Sequence, residues 1–205
     1  AVASADLEAV RLALGARQLN LVGVSYGTRV ALDYLRQFPQ SVRRVVLDGV
    51  APPDMVLPAA ALDAQAAFDA MLAACEADAG CAGLHPQLRA LWQALLKTLP
   101  RPIEVTHPLT GRAESLQLTR DMLLGMVRTA LYSPVLASGL PAALQAAEGG
   151  KFTPLVGLSS ALQAARGDEA VAQGMHFSVI CAEDMPRLAA PPLPTAPDFG
   201  AGLAP

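Results

Sequence analysis

The chain has 205 residues, 53% of them hydrophobic, and a formal net charge of -3. That supply of apolar side chains is ample for a buried core, and the length suits one large domain or a core segment carrying an insertion. The acidic balance, with no basic cluster longer than Arg43-Arg44, argues against nucleic acid or an anionic membrane surface as a partner, and no apolar run approaches the roughly 20 residues of a membrane span.

In chain order, Ser4 is a candidate N-cap for a helix carrying Asp6, Leu7, Val10, Leu12 and Leu14, which Gly15 ends. The β-forming run Leu19 to Val24 then stops at a serine between two glycines, Gly23-Val24-Ser25-Tyr26-Gly27. Placed between a strand and a helix, that G-x-S-x-G pattern is a nucleophile elbow, in which a strained turn lifts the serine hydroxyl clear of the sheet. Both glycines are expected to be steric requirements, because a side chain at either would meet the turn or the elements joined by it. The amphipathic helix expected over Thr28 to Phe38 aims its dipole and first-turn amides at Ser25, which makes the Tyr26 N–H a candidate oxyanion donor. Without such context the pattern is only a Gly-Ser turn. The context continues with a second apolar strand over Val42 to Leu47, closing at Asp48, and a proline-bearing loop over Gly49 to Pro58. Helix, strand, helix and strand in that order mark half of a parallel α/β sheet.

From Ala59 the pattern becomes helical. Ala60 to Ala77 is amphipathic, and Gln87 to Leu99 places Leu88, Leu91, Trp92 and Leu95 on one face, where Trp92 is a core anchor or, alternatively, a ligand-stacking ring. Ile103 to Val105 and Ser115 to Leu118 flank Thr110-Gly111 as a hairpin. Thr119 caps a helix over Arg120 to Tyr132, Ser133-Pro134 opens one reaching Ala147, and Thr153-Pro154 opens another reaching Arg166. Met175 to Cys181 returns to a strand-like apolar run ahead of Glu183 and Asp184, and beyond Pro186 the sequence is a Pro/Ala/Gly-rich linker. The divisions expected are 1–58, a core segment; 59–173, a helical cap; and 174–205, a return to the core and a linker.

Of the three cysteines, Cys75 and Cys81 are spaced to close a small loop, worth about 2 kcal/mol if oxidised, and the alternative is a pair of buried thiols. They lack zinc-ligand spacing, so no metal is expected. A disulfide would imply a compartment outside the cytosol. His85, His107 and His176 are the histidines available as a base for Ser25, and all precede the region where such a fold supplies one. Asp48 is a candidate acid, or simply an Asp closing a turn onto Gly49.

With these residues in view, the chain resembles the α/β-hydrolases of the prolyl and tripeptidyl aminopeptidase type. The resemblance rests on Asn20 to Thr28, on Tyr34-Leu35 with Phe38-Pro39, on Val42 to Val50, on the cysteine pair and on the Ser-Val-x-Cys-x-Glu-Asp stretch Ser178 to Asp184. It implies an α/β-hydrolase core, a partial parallel sheet flanked by helices, with an inserted and mainly helical cap. It implies a serine peptidase releasing N-terminal residues through an acyl-enzyme on Ser25, with Tyr26 N–H at the oxyanion and no cofactor. Glu183, with Asp184 beside it, would bind the free α-amine of the peptide or small-molecule substrate, and Cys75 and Cys81 would be bonded in a periplasmic or secreted protein. Family members carry a glycine-rich loop before the elbow and the catalytic Asp and His on later strands. The chain is therefore expected to be the middle of a longer enzyme, inactive by itself. An esterase and a non-catalytic binding module are the alternative readings.

Overall fold

The computed structural model describes residues 2–56, 60–107, 110–165, 172–188 and 195–200. The chain divides into two compact units, Ala1–Val56 and Leu57–Pro205.

In the first unit, helix α1 (Val2–Ala13) leads into strand β1 (Leu19–Val24), helix α2 (Tyr26–Gln37) and strand β2 (Val42–Asp48). The strands pair in parallel, Asn20 opposite Arg44 through Val24 opposite Asp48. Gly15 ends α1 at φ 64°, with its own N–H on the Leu12 carbonyl and the Ala16 N–H on the Arg11 carbonyl, the two bonds of a Schellman cap. Ser4 does not cap this helix. It lies inside it, is buried, and donates its hydroxyl to Asp33 of α2 at 2.7 Å, because α1 already begins at Val2. The seam between α1 and α2 is polar elsewhere too: Glu8 accepts from Arg11 at 2.6 Å, from the Tyr34 hydroxyl at 2.5 Å and from Ser41 at 3.2 Å. These donors, Arg11 foremost, hold the Glu8 carboxyl down at about 2. Bonds from Ser4, Arg36 and Gln37 hold Asp33 near the same value.

The second unit contains α3 (Ala61–Ala77), α4 (Ala79–Leu84), α5 (Leu88–Lys97), a hairpin of β3 (Arg101–Thr106) and β4 (Ala113–Leu118), then α6 (Arg120–Leu131), α7 (Pro134–Ala137), α8 (Leu140–Glu148), α9 (Thr153–Ala165), α10 (Gln173–Val179) and α11 (Met185–Leu188). The hairpin is antiparallel, with Arg101 opposite Leu118, and Ile103, Val105 and Leu118 face the core. Phe68 of α3, Trp92 of α5, Leu123 of α6, Leu144 of α8 and Phe152 are almost completely buried together. Trp92 is thus a core anchor, its ring centre 4.7 Å from that of Phe68. A disulfide joins Cys75 to Cys81 across Cα atoms 5.1 Å apart and ties α3 to α4.

Three sequence expectations fail in this unit. The helix expected from Pro134 to Ala147 is two helices, interrupted at Ser138 and Gly139, where the Gly139 N–H turns back onto the Leu136 carbonyl ahead of Pro141. Met175 to Cys181 is not a strand but the last part of α10 leading into a π-helical turn, Ile180–Asp184. A short apolar run is compatible with either element until a pairing strand decides it, and the sheets among the described residues are β1-β2 and β3-β4. The supposed linker includes an ordered turn, residues 195–200, seated by Asp198 and Phe199. The buried Asp198 carboxylate accepts from Trp92 Nε1 at 3.0 Å, Gln93 Nε2 at 2.9 Å and Gln65 Nε2 at 3.3 Å, while Gln65 Oε1 receives the Asp198 N–H and Arg120 reaches its carbonyl. Composition reports none of these bonds, since their partners lie 78 to 133 residues away.

Candidate active site

Ser25 stands alone between β1 and α2 at φ 53° and ψ -122°, and it is exposed to solvent. Left-handed backbone at a serine costs on the order of 1–3 kcal/mol, so the surroundings must enforce it. They do so on both sides of the residue. The Ser25 N–H donates to the Asp48 carbonyl at the end of β2 at 2.9 Å, and the Ser25 carbonyl accepts from the Thr28 N–H at 3.0 Å and from the Thr28 hydroxyl at 2.7 Å.

Gly23 explains how strand and helix come so close. A Cβ there would lie 2.6 Å from the Gly27 carbonyl oxygen and 2.9 Å from the Thr28 Cα, a collision with backbone that cannot move aside. Gly27 differs from expectation: among the described residues, a Cβ built on it meets nothing within 4 Å beyond its chain neighbours and the backbone of its own helix. Among the described residues the steric demand of this turn therefore falls on Gly23, the strand residue that packs against the helix.

Tyr26 opens α2, so its N–H belongs to the first turn, whose amides point back toward the N-terminal end of the helix. Two buried polar side chains join this turn to the loop after β2, Thr28 of the motif and Arg29, which the sequence analysis did not single out. Thr28 accepts the Ala51 N–H at 2.8 Å, and Arg29 donates to the Met55 carbonyl at 2.7 Å with its guanidinium 5.9 Å from the Tyr26 ring centre. A polar pair at consecutive positions on the otherwise apolar side of an amphipathic helix was the available sign. Gly49 enters that loop at φ 61°, the left-handed turn expected after Asp48.

Asp48 is exposed and lies opposite Val24 in the register, one residue before Ser25; the bond it makes to Ser25 comes from its backbone. His85, His107 and His176 all belong to the Leu57–Pro205 unit, at the end of α4, beside the hairpin and on α10 respectively. Glu183 and Asp184 occupy the π-helical turn, where Glu183 is half-buried and Asp184 is sealed from solvent. Cys181, in the same turn, is an exposed free thiol. Among the described residues no three His, Cys, Asp or Glu side chains gather as metal ligands, and no helix is long and apolar enough to cross a membrane.

A strand, a sharp turn at an exposed serine, a helix and a parallel partner strand form the central motif of one fold, and the family model described as the alpha/beta hydrolase fold matches residues 1–148. The chain belongs to that family. Over 137 residues it is 34% identical to the serine protease Hip1 of Mycobacterium tuberculosis, covering 63% of this chain and 26% of that protein, with the same figures for the Mycobacterium bovis protein. Over 66 residues it is 46% identical to the tripeptidyl aminopeptidase of Streptomyces lividans, covering 31% of this chain and 12% of that protein. The matched region thus amounts to about a quarter of the length of Hip1 and less of the aminopeptidase.

Proposed function

We propose that the protein is a serine hydrolase acting on peptides from their N-terminal end, with Ser25 as nucleophile. The observation that carries this is the left-handed backbone of an exposed serine, held at both its N–H and its carbonyl, at the junction of β1 and α2. In the reaction the Ser25 hydroxyl adds to the scissile carbonyl and gives its proton to a general base. The oxyanion forms next to the first turn of α2, where the Tyr26 N–H donates to it. Collapse breaks the C–N bond as the amine leaves with a proton, and water then releases the acyl group from Ser25. The base is not assigned to His85, His107 or His176, all of which precede the region where such a fold supplies one.

The names of the two relatives, a serine protease and a tripeptidyl aminopeptidase, favour a peptide over a simple ester as substrate. Glu183 is the proposed anchor for the free α-ammonium group, since a half-buried carboxylate offers a charge-assisted bond. Asp184, next in the chain, reaches no solvent, so the anchoring role rests on Glu183. The disulfide supports a location outside the cytosol.

The test uses the complete protein with an amino-acid or tripeptide amide, offered with its amine free and with its amine acetylated. Ser25→Ala abolishes turnover of both. Glu183→Gln raises KM for the free amine by about tenfold, the scale of one charge-assisted bond, and leaves the acetylated substrate unaffected. Turnover of esters alone would identify an esterase, and no turnover in any wild-type assay would identify a binding module.

A further inference from the structure

The Ser25–Tyr26 peptide is trans, and in a planar trans peptide the carbonyl and the N–H point in opposite directions. Whatever holds the Ser25 carbonyl therefore also sets where the Tyr26 N–H points. That carbonyl is held by Thr28 twice, through its N–H at 3.0 Å and through its hydroxyl at 2.7 Å. The hydroxyl is itself constrained. The Ala51 N–H donates to Thr28 Oγ1 at 2.8 Å, which engages a lone pair and leaves the single hydroxyl proton directed at the Ser25 oxygen. Thr28 is completely buried and Ala51 nearly so, and in such surroundings a satisfied hydrogen bond is strong and water does not replace it.

We propose that Thr28 is a positioning residue: by clamping the Ser25 carbonyl between α2 and the loop after β2, its hydroxyl aims the Tyr26 N–H at the position of the oxyanion. The inference rests on the reading of Ser25 as nucleophile and of Tyr26 N–H as donor. The sparsely populated combination of φ 53° with ψ -122° at Ser25 calls for such a clamp. Rotation of the Ser25–Tyr26 peptide plane changes that ψ and swings the N–H away from the reacting carbonyl. The Asp48 carbonyl fixes the peptide before Ser25 and leaves the peptide after it to Thr28. A merely structural Thr28 would also be buried and satisfied, but its loss would lower the melting temperature without changing the reactivity of the molecules that remain folded.

The experiment compares wild type, Thr28→Val, Thr28→Ser and Thr28→Cys in the complete protein. It reads the rate of Ser25 labelling by a fluorophosphonate, kcat and KM for p-nitrophenyl acetate, and the thermal midpoint. Losing an oxyanion donor outright costs about 10²–10³ in kcat, and because the Thr28 N–H remains, Thr28→Val is expected to label and turn over roughly tenfold more slowly with KM unchanged. Thr28→Ser restores the rate to within about threefold, because it restores the hydroxyl. Thr28→Cys, a weak donor of similar size, falls between them and decides the matter if the valine variant does not fold. A folded Thr28→Val or Thr28→Cys that labels as fast as wild type, or a serine variant no faster than the valine one, overturns the positioning role alone. Absence of label from Ser25 in the wild type overturns the nucleophile reading and the positioning role with it.

Discussion

In the Leu57–Pro205 unit, Phe68, Trp92, Leu123 and Leu144 are at most 1% exposed and pack as one cluster. In the Ala1–Val56 unit the buried apolar side chains among the described residues are Ala31, Tyr34 and Ala51, whereas Val22, Val24 and Val46 on the sheet are 73%, 59% and 58% exposed. One unit is shaped by apolar packing, which is non-directional and tolerates exchange of similar side chains. The other is shaped around Ser25 by backbone contact and directed hydrogen bonds: Gly23 against Gly27 and Thr28, Ser25 to Asp48, Thr28 to Ala51, and Glu8 and Asp33 across the two helices. A turn enforced in this way is intolerant of single atoms in the wrong place.

The contrast is broken most severely at Gly23. Gly23→Ala is expected to cost roughly 3 kcal/mol or more, since the clash is with backbone, and to remove Ser25 reactivity even in the fraction that folds. Gly27→Ala, with open space around its Cβ, should change stability by about 1 kcal/mol at most, with labelling of Ser25 retained. Thermal melting and labelling of the two variants side by side check this. Equal damage at both glycines would show that the demand is not particular to Gly23.

Next in size is Asp198, a buried carboxylate in the apolar unit. Asp198→Ala leaves Trp92 Nε1 and the amides of Gln65 and Gln93 without their acceptor, and should cost about 1–3 kcal/mol by denaturant titration. Burial pushes the Asp198 carboxyl up, but the bonds from Gln93, Trp92 and Gln65 and the charge of Arg120 outweigh it and leave the group below its ordinary 3.8. The sign follows from linkage: the stabilisation is complete above 3.8 and disappears as pH falls through the lowered value.

The smallest effect is at Glu8. Its carboxyl drops from 4.5 to about 2, chiefly through Arg11 and then Tyr34, so its contribution is complete above 4.5 and lost as pH approaches about 2. Melting curves of wild type and Glu8→Gln should differ at neutral pH and converge on acidification. A gap that stays constant would mean that the shape of the glutamate, and not its charge, joins α1 to α2.

Local signals made most of the Ala1–Val56 unit readable before any coordinates. The run Leu19 to Val24, the glycine at Gly15 and the apolar spacing of α2 each depend on neighbours within a few residues, as do the turn at Gly111 and the cap at Thr119. The readings that failed depend on distant partners. Ser4 has the residue type of a cap, but its hydroxyl goes to Asp33, 29 residues on. Met175 to Cys181 looked like a strand for want of knowing what lies beside it, and Asp198 was lost in a proline-rich stretch because Trp92 and Gln65 lie more than a hundred residues earlier. Within the site, Ser25 and Gly23 are legible from the motif, whereas what Thr28 does there depends on Ala51, 23 residues on.

The most direct measurement is mass mapping of a fluorophosphonate adduct on the complete protein. Stoichiometric modification of Ser25, abolished in Ser25→Ala, is the result expected of a serine poised at the end of β1. An adduct on another serine, or none on protein that is folded by its melting curve, would contradict it.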